Sequence, residues 1–213
     1  PFLTGTICAH RCQTKCSRNF YDESVRIRDT KLVAAERGYE ALMASIRHPA
    51  KVAGKKAAII GGGPTGIAAA YFLGRAGVET TIFEREQCLG GVPRHVIPAF
   101  RISDEAIDKD VALIEKMGVE VKLNTEAPSV AELKAQGYTH IFFAVGAGKA
   151  GKLDIPGNVV PVIQWLRDLK AGKDVSLGHV AVVGGGNTAM DAARAALRAG
   201  AKSSTLVYRR TRK

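Results

Sequence analysis

The amino-acid sequence predicts an α/β protein with doubly wound parallel sheets, and three observations support this class. The residue pattern predicts a strand, a helix and a second strand, in this order, in residues 57–83. The same order returns in residues 179–208. In both places a glycine-rich turn joins the first strand to the helix. Because two strands joined through a helix run parallel in one sheet, each segment is the start of a parallel sheet with helices packed on it.

The other elements follow from apolar periodicity and from residues that start or stop helices. Residues 31–46 carry apolar side chains at helical spacing, and Pro49 ends this helix. Ser129 and Glu132 form a capping box that opens a short helix. Residues 84–100 show no regular pattern. We expect helices at residues 31–46, 64–75, 103–118, 129–136, 162–170 and 188–199, and strands at residues 57–60, 80–83, 119–123, 139–145, 179–183 and 205–208.

The composition is that of an ordinary globular protein. The 213 residues are 46% hydrophobic and carry a formal net charge of +11. No apolar run approaches the roughly 20 residues of a membrane-spanning helix, and no signal peptide opens the chain, so we expect a cytoplasmic protein. Basic residues are scattered and aromatic residues make up only 6%, which favours phosphate-bearing cofactors or an acidic protein partner over nucleic acid.

Three of the four cysteines stand close together as Cys8, Cys12 and Cys16, with Cys88 far downstream. A disulfide framework would use cysteines that are spread along the chain. Spacing of four residues suits one face of a helix or a tight loop, and therefore favours ligation of a metal or an iron–sulfur cluster. Reduced, partly buried thiols are the alternative, because three cysteines do not complete a four-ligand cluster.

The first glycine-rich turn has the spacing of a dinucleotide-binding motif. Gly61, Gly63 and Gly66 follow a predicted strand and open a predicted helix. Glycines at these positions permit a tight turn, close approach of the backbone to a pyrophosphate, and close packing of helix on strand. Glu84 stands 18 residues after Gly66, at the end of the next strand, where its carboxylate can accept hydrogen bonds from ribose hydroxyls.

The second turn repeats the first at an offset of 123 residues, as Gly184, Gly186 and Ala189. We expect Arg209 and Arg210 to stand at the end of its second strand in place of the acid, with Arg212 and Lys213 following. Arginines bind a 2′-phosphate that an acid would repel, so this site is predicted to take NADP(H). An ordinary solvated basic strand end is the alternative.

Two dinucleotide sites in one chain indicate hydride transfer between a nicotinamide and a second redox cofactor, most simply FAD. Flavin binding also accounts for Leu89, Gly90 and Gly91. These residues follow Glu84 closely, and glycines there would let a second backbone loop approach the cofactor.

The sequence resembles a known family of redox subunits. The similar segments are residues 61–66, 83–85, 90–91, 97–101, 183–191 and 208–210. They are similar to the small (β) subunit of glutamate synthase and to the amino-terminal half of dihydropyrimidine dehydrogenase. The opening residues 2–28, with their three cysteines, are most similar to the flavoprotein subunit assigned to bacterial selenate reductase.

The resemblance implies an NADPH-dependent FAD oxidoreductase. Hydride would pass from NADPH to FAD, and electrons would move on through [4Fe-4S] clusters to an acceptor on another domain or subunit. No side chain is then needed as a catalytic acid or base. The implied metal ligands are Cys8, Cys12 and Cys16. The candidate cofactor-binding residues are Gly61, Gly62, Gly63, Pro64, Thr65, Gly66, Glu84, Arg85, Leu89, Gly90, Gly91, Val92, Arg101, Ala127 and Gly146 for FAD, and Gly184, Gly185, Gly186, Asn187, Thr188, Ala189, Arg209 and Arg210 for NADPH.

We expect three parts in the chain. Residues 1–50 are predicted to form a cysteine-containing arm and helix, residues 51–150 an incomplete Rossmann-like FAD-binding domain, and residues 151–213 a partial Rossmann-like NADP-binding domain. Departures from the family suggest a fragment of a longer protein. Lys31 stands near a position where relatives supply a Glu or Gln ligand, and a lysine cation cannot ligate. The chain begins with Pro1, and only five residues follow the last predicted strand.

The sequence also allows two other functions. One is a truncated, non-catalytic cofactor-binding fragment or scaffold of a larger redox enzyme. A stand-alone pyridine nucleotide-disulphide reductase is less favoured, because Cys88 has no neighbouring cysteine and is interpreted as a plain loop thiol. His95 is interpreted as a loop histidine with a backbone partner, and Asp191 as an exposed helix acid.

Overall fold

A computed structural model describes residues 1–148, 151, 154–175 and 177–210. The chain divides into two compact units. The first contains residues 1–94 and 101–146, and the second contains residues 95–100 and 147–213. Among the described residues, no helix combines the length and the apolar character needed to cross a membrane.

The predicted order of strands and helices is confirmed over the two motif regions, with ends that shift by one or two residues. The helices are α1 (Phe2–Ile7), α2 (Arg11–Thr14), α3 (Ile27–Ser45), α4 (Pro64–Arg75), α5 (Gly91–His95), α6 (Asp104–Lys116), α7 (Val130–Ala135), α8 (Val162–Lys170) and α9 (Asn187–Arg198). The strands are β1 (Lys56–Ile60), β2 (Glu79–Phe83), β3 (Glu120–Lys122), β4 (His140–Phe143), β5 (His179–Val183) and β6 (Ser203–Val207).

The first unit is built on a four-stranded parallel sheet in the order β3-β2-β1-β4. Ile59 of β1 and Ile82 of β2 are completely buried, and they pack with Ile67 of α4 and Ile114 of α6. Such central strands carry apolar side chains on both faces because helices cover them. This core fixes the carboxyl ends of β1 and β2, where the first glycine turn lies.

The amino-terminal segment is more regular than the sequence predicts. It contains α1, α2 and a 3-10 helix at Ser17–Phe20. Phe2 is 4% exposed and packs edge-on against Tyr39, with ring centroids 5.3 Å apart. The carboxylate of Asp110 in α6 accepts hydrogen bonds from the backbone N–H groups of Phe2 and Leu3, both over 2.9 Å. A buried carboxylate from a distant helix therefore holds the start of α1.

The second unit contains the two-stranded parallel sheet of β5 and β6. Val182 of β5 packs with Leu166 of α8 and with alanines of α9. The segment of residues 95–100 joins this unit through Phe100, whose ring lies beneath the guanidinium groups of Arg194 and Arg198 at 4.9 and 4.3 Å. Small alanines on α9 let the helix lie close to the strands that carry the second glycine turn.

Candidate nucleotide-binding sites

The first glycine turn joins β1 to α4 through contacts that exclude side chains. Gly61 has φ of +104°, and a Cβ atom added there would lie 2.5 Å from the carbonyl oxygen of Ala144. A Cβ atom added at Gly66 would lie 2.0 Å from the carbonyl oxygen of Gly61. These distances are far inside van der Waals contact, so the turn keeps its shape only with glycine at both positions.

Glu84 lies directly behind this turn. It follows the last residue of β2 and is 7% exposed. Its Oε2 atom accepts a hydrogen bond from the backbone N–H of Gly62 over 2.6 Å, and its Oε1 atom accepts one from the N–H of Glu86 over 2.9 Å. An ionised carboxylate has about four acceptor positions, so Glu84 can accept further hydrogen bonds from a ribose. The acid therefore lies next to the first glycine turn and contacts its backbone at Gly62.

The predicted second loop also lies against the turn. The backbone N–H of Gly90 donates to the carbonyl oxygen of Gly62 over 2.8 Å. Gly90 and Gly91 have φ values of +128° and +56°, and a Cβ atom added at Gly91 would lie 2.9 Å from Cα of Gly63. Leu89 is 4% exposed and is a core side chain. Within residues 84–100, where no regular element was predicted, the structure contains α5.

The remaining FAD candidates are spread around the same unit. The Arg85 side chain is 78% exposed and lies 3.8 Å from Glu86, and Val92 is 40% exposed. Ala127 packs on the cluster of Phe83, Leu133 and Tyr138. Arg101 is partly buried, and Gly146 follows β4 with φ of +69°. Their contact with a cofactor stays a prediction.

The loop after β3, which contains the candidate Ala127, also approaches Glu84, through two residues that the sequence did not single out. The N–H of Thr125 donates to the carbonyl oxygen of Glu84, and the N–H of Asn124 donates to that of Glu86, over 2.9 and 3.0 Å. Asn124 has φ of +51°, a conformation that asparagine tolerates better than most residues. An asparagine directly after a predicted strand was the available signal.

Both helices that follow glycine turns start without a side-chain cap. Gly63 precedes α4 and Gly186 precedes α9, and neither supplies a capping hydrogen bond. By contrast, Ser103 caps α6 and Ser129 caps α7 through their hydroxyl groups. The uncapped N–H groups at the start of a helix attract anions such as a pyrophosphate. The turns therefore fit the phosphates of a dinucleotide.

The second turn repeats the geometry of the first. The N–H of Gly184 donates to the carbonyl oxygen of Val207 over 2.9 Å, as the N–H of Gly61 donates to that of Phe83 over 2.9 Å. Gly184 has φ of +144°. Asn187, Thr188 and Ala189 form the first turn of α9.

One expectation for the second turn is wrong by one residue. The residue that directly follows β6 is Tyr208, so this tyrosine, and not the arginine pair, takes the position of Glu84. A Cβ atom added at Gly185 would lie 2.6 Å from Cε2 of the Tyr208 ring. Arg209 and Arg210 follow and are both exposed. Arg212 and Lys213 lie outside the described residues.

The three clustered cysteines lie within or next to three different helical elements. Cys8 follows α1, Cys12 lies within α2, and Cys16 precedes the 3-10 helix. All are free thiols, and only Cys12 is fully exposed. Backbone N–H groups of Val25 and Arg18 lower the pKa of Cys16. In the part of the chain that the structure describes, no three His, Cys, Asp or Glu side chains are grouped so that they could hold a metal ion.

The described thiols therefore do not fit a cluster by themselves, and their role as cluster ligands stays a prediction.

The interpretations of three other single residues, Cys88, His95 and Asp191, can be compared with the structure. Burial raises the pKa of Cys88, as suits a plain loop thiol. Nε2 of His95 is buried and has no hydrogen-bond partner among the described residues. Asp191 is 6% exposed, so its interpretation as an exposed helix acid is wrong.

Two strand–turn–helix units with glycine turns, one backed by an acid, are the arrangement typical of oxidoreductases that bind dinucleotides. The chain belongs to the pyridine nucleotide-disulphide oxidoreductase family, whose family model matches residues 55–213. This assignment confirms the predicted α/β Rossmann-like class and the predicted class of enzyme.

Similar proteins agree with the resemblance found in the sequence. The chain is 42% identical to "Putative oxidoreductase YgfK" of Escherichia coli (strain K12), over 99% of this chain and 21% of that protein. It is 37% identical to the NADPH-Fe(3+) oxidoreductase subunit beta of Geobacter sulfurreducens (strain DL-1 / KN400), over 100% of this chain and 34% of that protein. It is 30% identical to the glutamate synthase [NADPH] small chain of Bacillus subtilis (strain 168), over 95% of this chain and 45% of that protein.

Among solved structures, a 2-naphthoyl-CoA reductase complex matches with a TM-score of 0.61 and 26% identity, over 81% of this chain and 26% of that chain. The chain thus spans between about a fifth and about half the length of these relatives.

Proposed function

We propose that this chain is the NADPH- and FAD-binding part of a larger oxidoreductase, in which hydride passes from NADPH to FAD. Electrons then leave for an acceptor on another domain or subunit. The proposal rests on two glycine turns with an equivalent backbone hydrogen bond, which the first glycine of each turn donates to the last residue of the following strand. Glu84 lies behind the first turn, and Arg209 and Arg210 follow the strand beside the second.

In the first unit, the turn of residues 61–66 would hold the FAD pyrophosphate, because its glycines leave the backbone uncovered by side chains and the start of α4 has no side-chain cap. Glu84 would orient the adenosine ribose by accepting hydrogen bonds from its hydroxyl groups, while the Gly90 and Gly91 backbone would lie along the cofactor. When bound, FAD accepts hydride and can release electrons one at a time. The protein contributes orientation and charge, and no side chain serves as acid or base.

In the second unit, the turn of residues 184–189 would hold the NADPH pyrophosphate at the start of α9. Arg209 and Arg210 would bind the 2′-phosphate, since guanidinium groups pair with phosphate through two parallel hydrogen bonds. The net charge of +11 supports association with phosphate-bearing ligands.

The acceptor belongs to a partner domain or subunit in this proposal. Two of the relatives are named as a subunit beta and a small chain, and this chain covers less than half of each.

We also propose a cytoplasmic location. Four free thiols suit a compartment that keeps cysteines reduced.

Equilibrium binding of NADPH and NADH to the full chain tests the proposal. Arg209→Ala and Arg210→Ala should each weaken NADPH binding by about tenfold or more, because a charge-assisted hydrogen bond contributes about 1.5–3 kcal/mol, and should leave NADH binding nearly unchanged. Lys202→Ala is the matched control, because Lys202 is an exposed cation at the opposite end of β6. Equal losses for both nucleotides, or no binding of either by the unaltered chain, would contradict the proposal.

A further inference from the structure

The peptide group that joins Leu89 to Gly90 is held from both sides. Its N–H donates a hydrogen bond to the carbonyl oxygen of Gly62 over 2.8 Å. Its carbonyl oxygen accepts a hydrogen bond from Nε of Arg94, a residue of α5, over 2.5 Å. The glycine loop therefore contacts the first turn through a peptide group whose opposite end is bound to a guanidinium.

The Arg94 side chain is itself fixed by its surroundings. It is only 10% exposed, and its Nη2 atom donates a hydrogen bond to Oδ1 of Asp108 in α6. A Cβ atom added at Gly90 would lie 2.7 Å from Cβ of Arg94, so this side chain packs directly on the loop. Because Asp108 binds Nη2, the Nε–H remains available to the carbonyl oxygen of Leu89.

These contacts align two peptide groups in one direction. Both are trans, so the C=O and the N–H of each point in opposite directions. The first peptide group accepts from Arg94 and donates through Gly90 to the carbonyl oxygen of Gly62. That second peptide group ends in the N–H of Gly63, at the start of α4, which has no side-chain cap. Hydrogen bonds in such a chain polarise one another, and a charged donor is the stronger kind, so the Gly63 N–H gains positive partial charge.

We infer that Arg94 is a positioning residue of the first nucleotide site. Its guanidinium fixes the peptide group between Leu89 and Gly90 against the turn, and strengthens the N–H of Gly63 as a donor to an anionic pyrophosphate. The inference rests on the proposed function, because it assumes that this turn binds the pyrophosphate of FAD. Arg94 acts through the backbone and needs no contact with the cofactor.

Two substitutions of similar length in the full chain test this role. In Arg94→Gln, the side-chain nitrogen takes the place of Nε and still donates to Leu89, but it carries no charge. In Arg94→Met, a methyl group takes that place and no donor remains. Fluorescence titration should show FAD affinity at least about tenfold lower in Arg94→Met than in the unaltered chain. Arg94→Gln should bind FAD at least about threefold more tightly than Arg94→Met and about threefold less tightly than the unaltered chain.

Asp108→Asn is the control for the ion pair. The Asp108 side chain is 64% exposed, and its substitution leaves the hydrogen bond from Arg94 to Leu89 in place. Because exposed ion pairs contribute little, Asp108→Asn should keep the FAD affinity within about twofold.

Hydrogen exchange of the Gly90 amide, followed by NMR in the FAD-free chain, measures the contact without the cofactor. Exchange should be faster in Arg94→Met than in the unaltered chain, and Arg94→Gln should restore part of the protection. A role in packing alone would leave the two variants equal, both in this exchange rate and in FAD affinity.

The outcomes separate this inference from the proposed function. If the unaltered chain binds FAD and the Arg94→Met and Arg94→Gln variants bind it equally well, the inference is wrong and the proposed function stands. If Arg94→Met does not fold, Arg94→Gln is compared with the unaltered chain, and an unchanged FAD affinity overturns the inference. If the unaltered chain binds no FAD, the proposed function fails and this inference fails with it.

Discussion

Oε2 of Glu84 accepts a hydrogen bond from the backbone N–H of Gly62 over 2.6 Å, although the two residues are 22 positions apart in the chain. This contact ties the end of β2 to the middle of the first glycine turn. The carboxylate is buried and hydrogen-bonded before any ribose reaches it, so its orientation is set by the fold. A preorganised acceptor of this kind binds its ligand without a further cost of ordering.

Loss of the Glu84 carboxylate should weaken both the fold and FAD binding. Glu84→Ala leaves two backbone N–H groups without their acceptor, which should cost about 1–3 kcal/mol of unfolding free energy for each group that stays buried. Urea unfolding and FAD retention on gel filtration measure the two effects. Glu79→Gln is the control, because Glu79 lies at the opposite end of β2 and its ion pairs with Lys56 and Lys51 are long, at 3.6 and 3.8 Å. Equal effects of both variants would contradict this role.

Two glycine-to-alanine substitutions should have opposite effects on stability. Gly66→Ala places a methyl group against the carbonyl oxygen of Gly61 and should destabilise the first unit by about 1–3 kcal/mol and abolish FAD retention. Gly38→Ala lies within α3, and the new methyl group meets no atom within 4 Å beyond its chain neighbours and the helix's own backbone, so it should stabilise the protein by about 0.4–1 kcal/mol. Urea denaturation of both variants measures the difference. A neutral Gly66→Ala would mean that the turn relaxes freely.

Removal of the Asp110 carboxylate should release the amino-terminal arm. Asp110→Ala leaves the N–H groups of Phe2 and Leu3 without an acceptor, at a cost of about 1–3 kcal/mol. Limited trypsin digestion followed by mass spectrometry should then show faster cleavage after Arg11. Glu105→Ala is the control on the same helix, because its side chain is 76% exposed. Unchanged cleavage in Asp110→Ala would show that Phe2 packing alone holds the arm.

The capping box of α7 should give a pH-dependent contribution to stability. Hydrogen bonds from the Ser129 side chain and backbone lower the pKa of Glu132. Because the pKa in the folded state is below that in the unfolded state, the stabilisation is complete above the unfolded pKa and is lost as the pH falls through the folded pKa. The difference in unfolding free energy between the unaltered chain and Ser129→Ala should therefore shrink between about pH 7 and about pH 3.

Ser103→Ala provides the control for this pH dependence. Ser103 caps α6 by accepting the N–H of Ala106, and an alanine at that position cannot return a hydrogen bond to the cap. The stability difference caused by Ser103→Ala should vary less over the same pH range. The same pH dependence in both variants would show that Glu132 is not its source.

The parts of the fold that the sequence predicted depend on local signals. Glycines spaced around a turn, a proline at the start of α4 and a serine–glutamate capping box each act within a few residues. Their positions therefore appear in the sequence itself. Helix α4 begins at the predicted residue for this reason.

The parts that the sequence missed depend on distant contacts or on a strand end. Helix α1 is held by Asp110, more than 100 residues away. Helix α5 contains a glycine and a proline, which disfavour helices, and its Gly91 packs on the Gly63 backbone. Because tyrosine favours strands, the predicted strand included Tyr208, and the two arginines were therefore expected directly after the strand. The structure ends β6 one residue earlier, at Val207.

Anaerobic titration of the FAD-loaded full chain with NADPH, followed by visible absorption, measures whether hydride passes between the two cofactors. The flavin absorption band should bleach in proportion to added NADPH, and NADH should be much less effective at the same concentration. A chain that retains FAD but keeps its full flavin absorption with NADPH, or that never retains FAD, would contradict the proposed function.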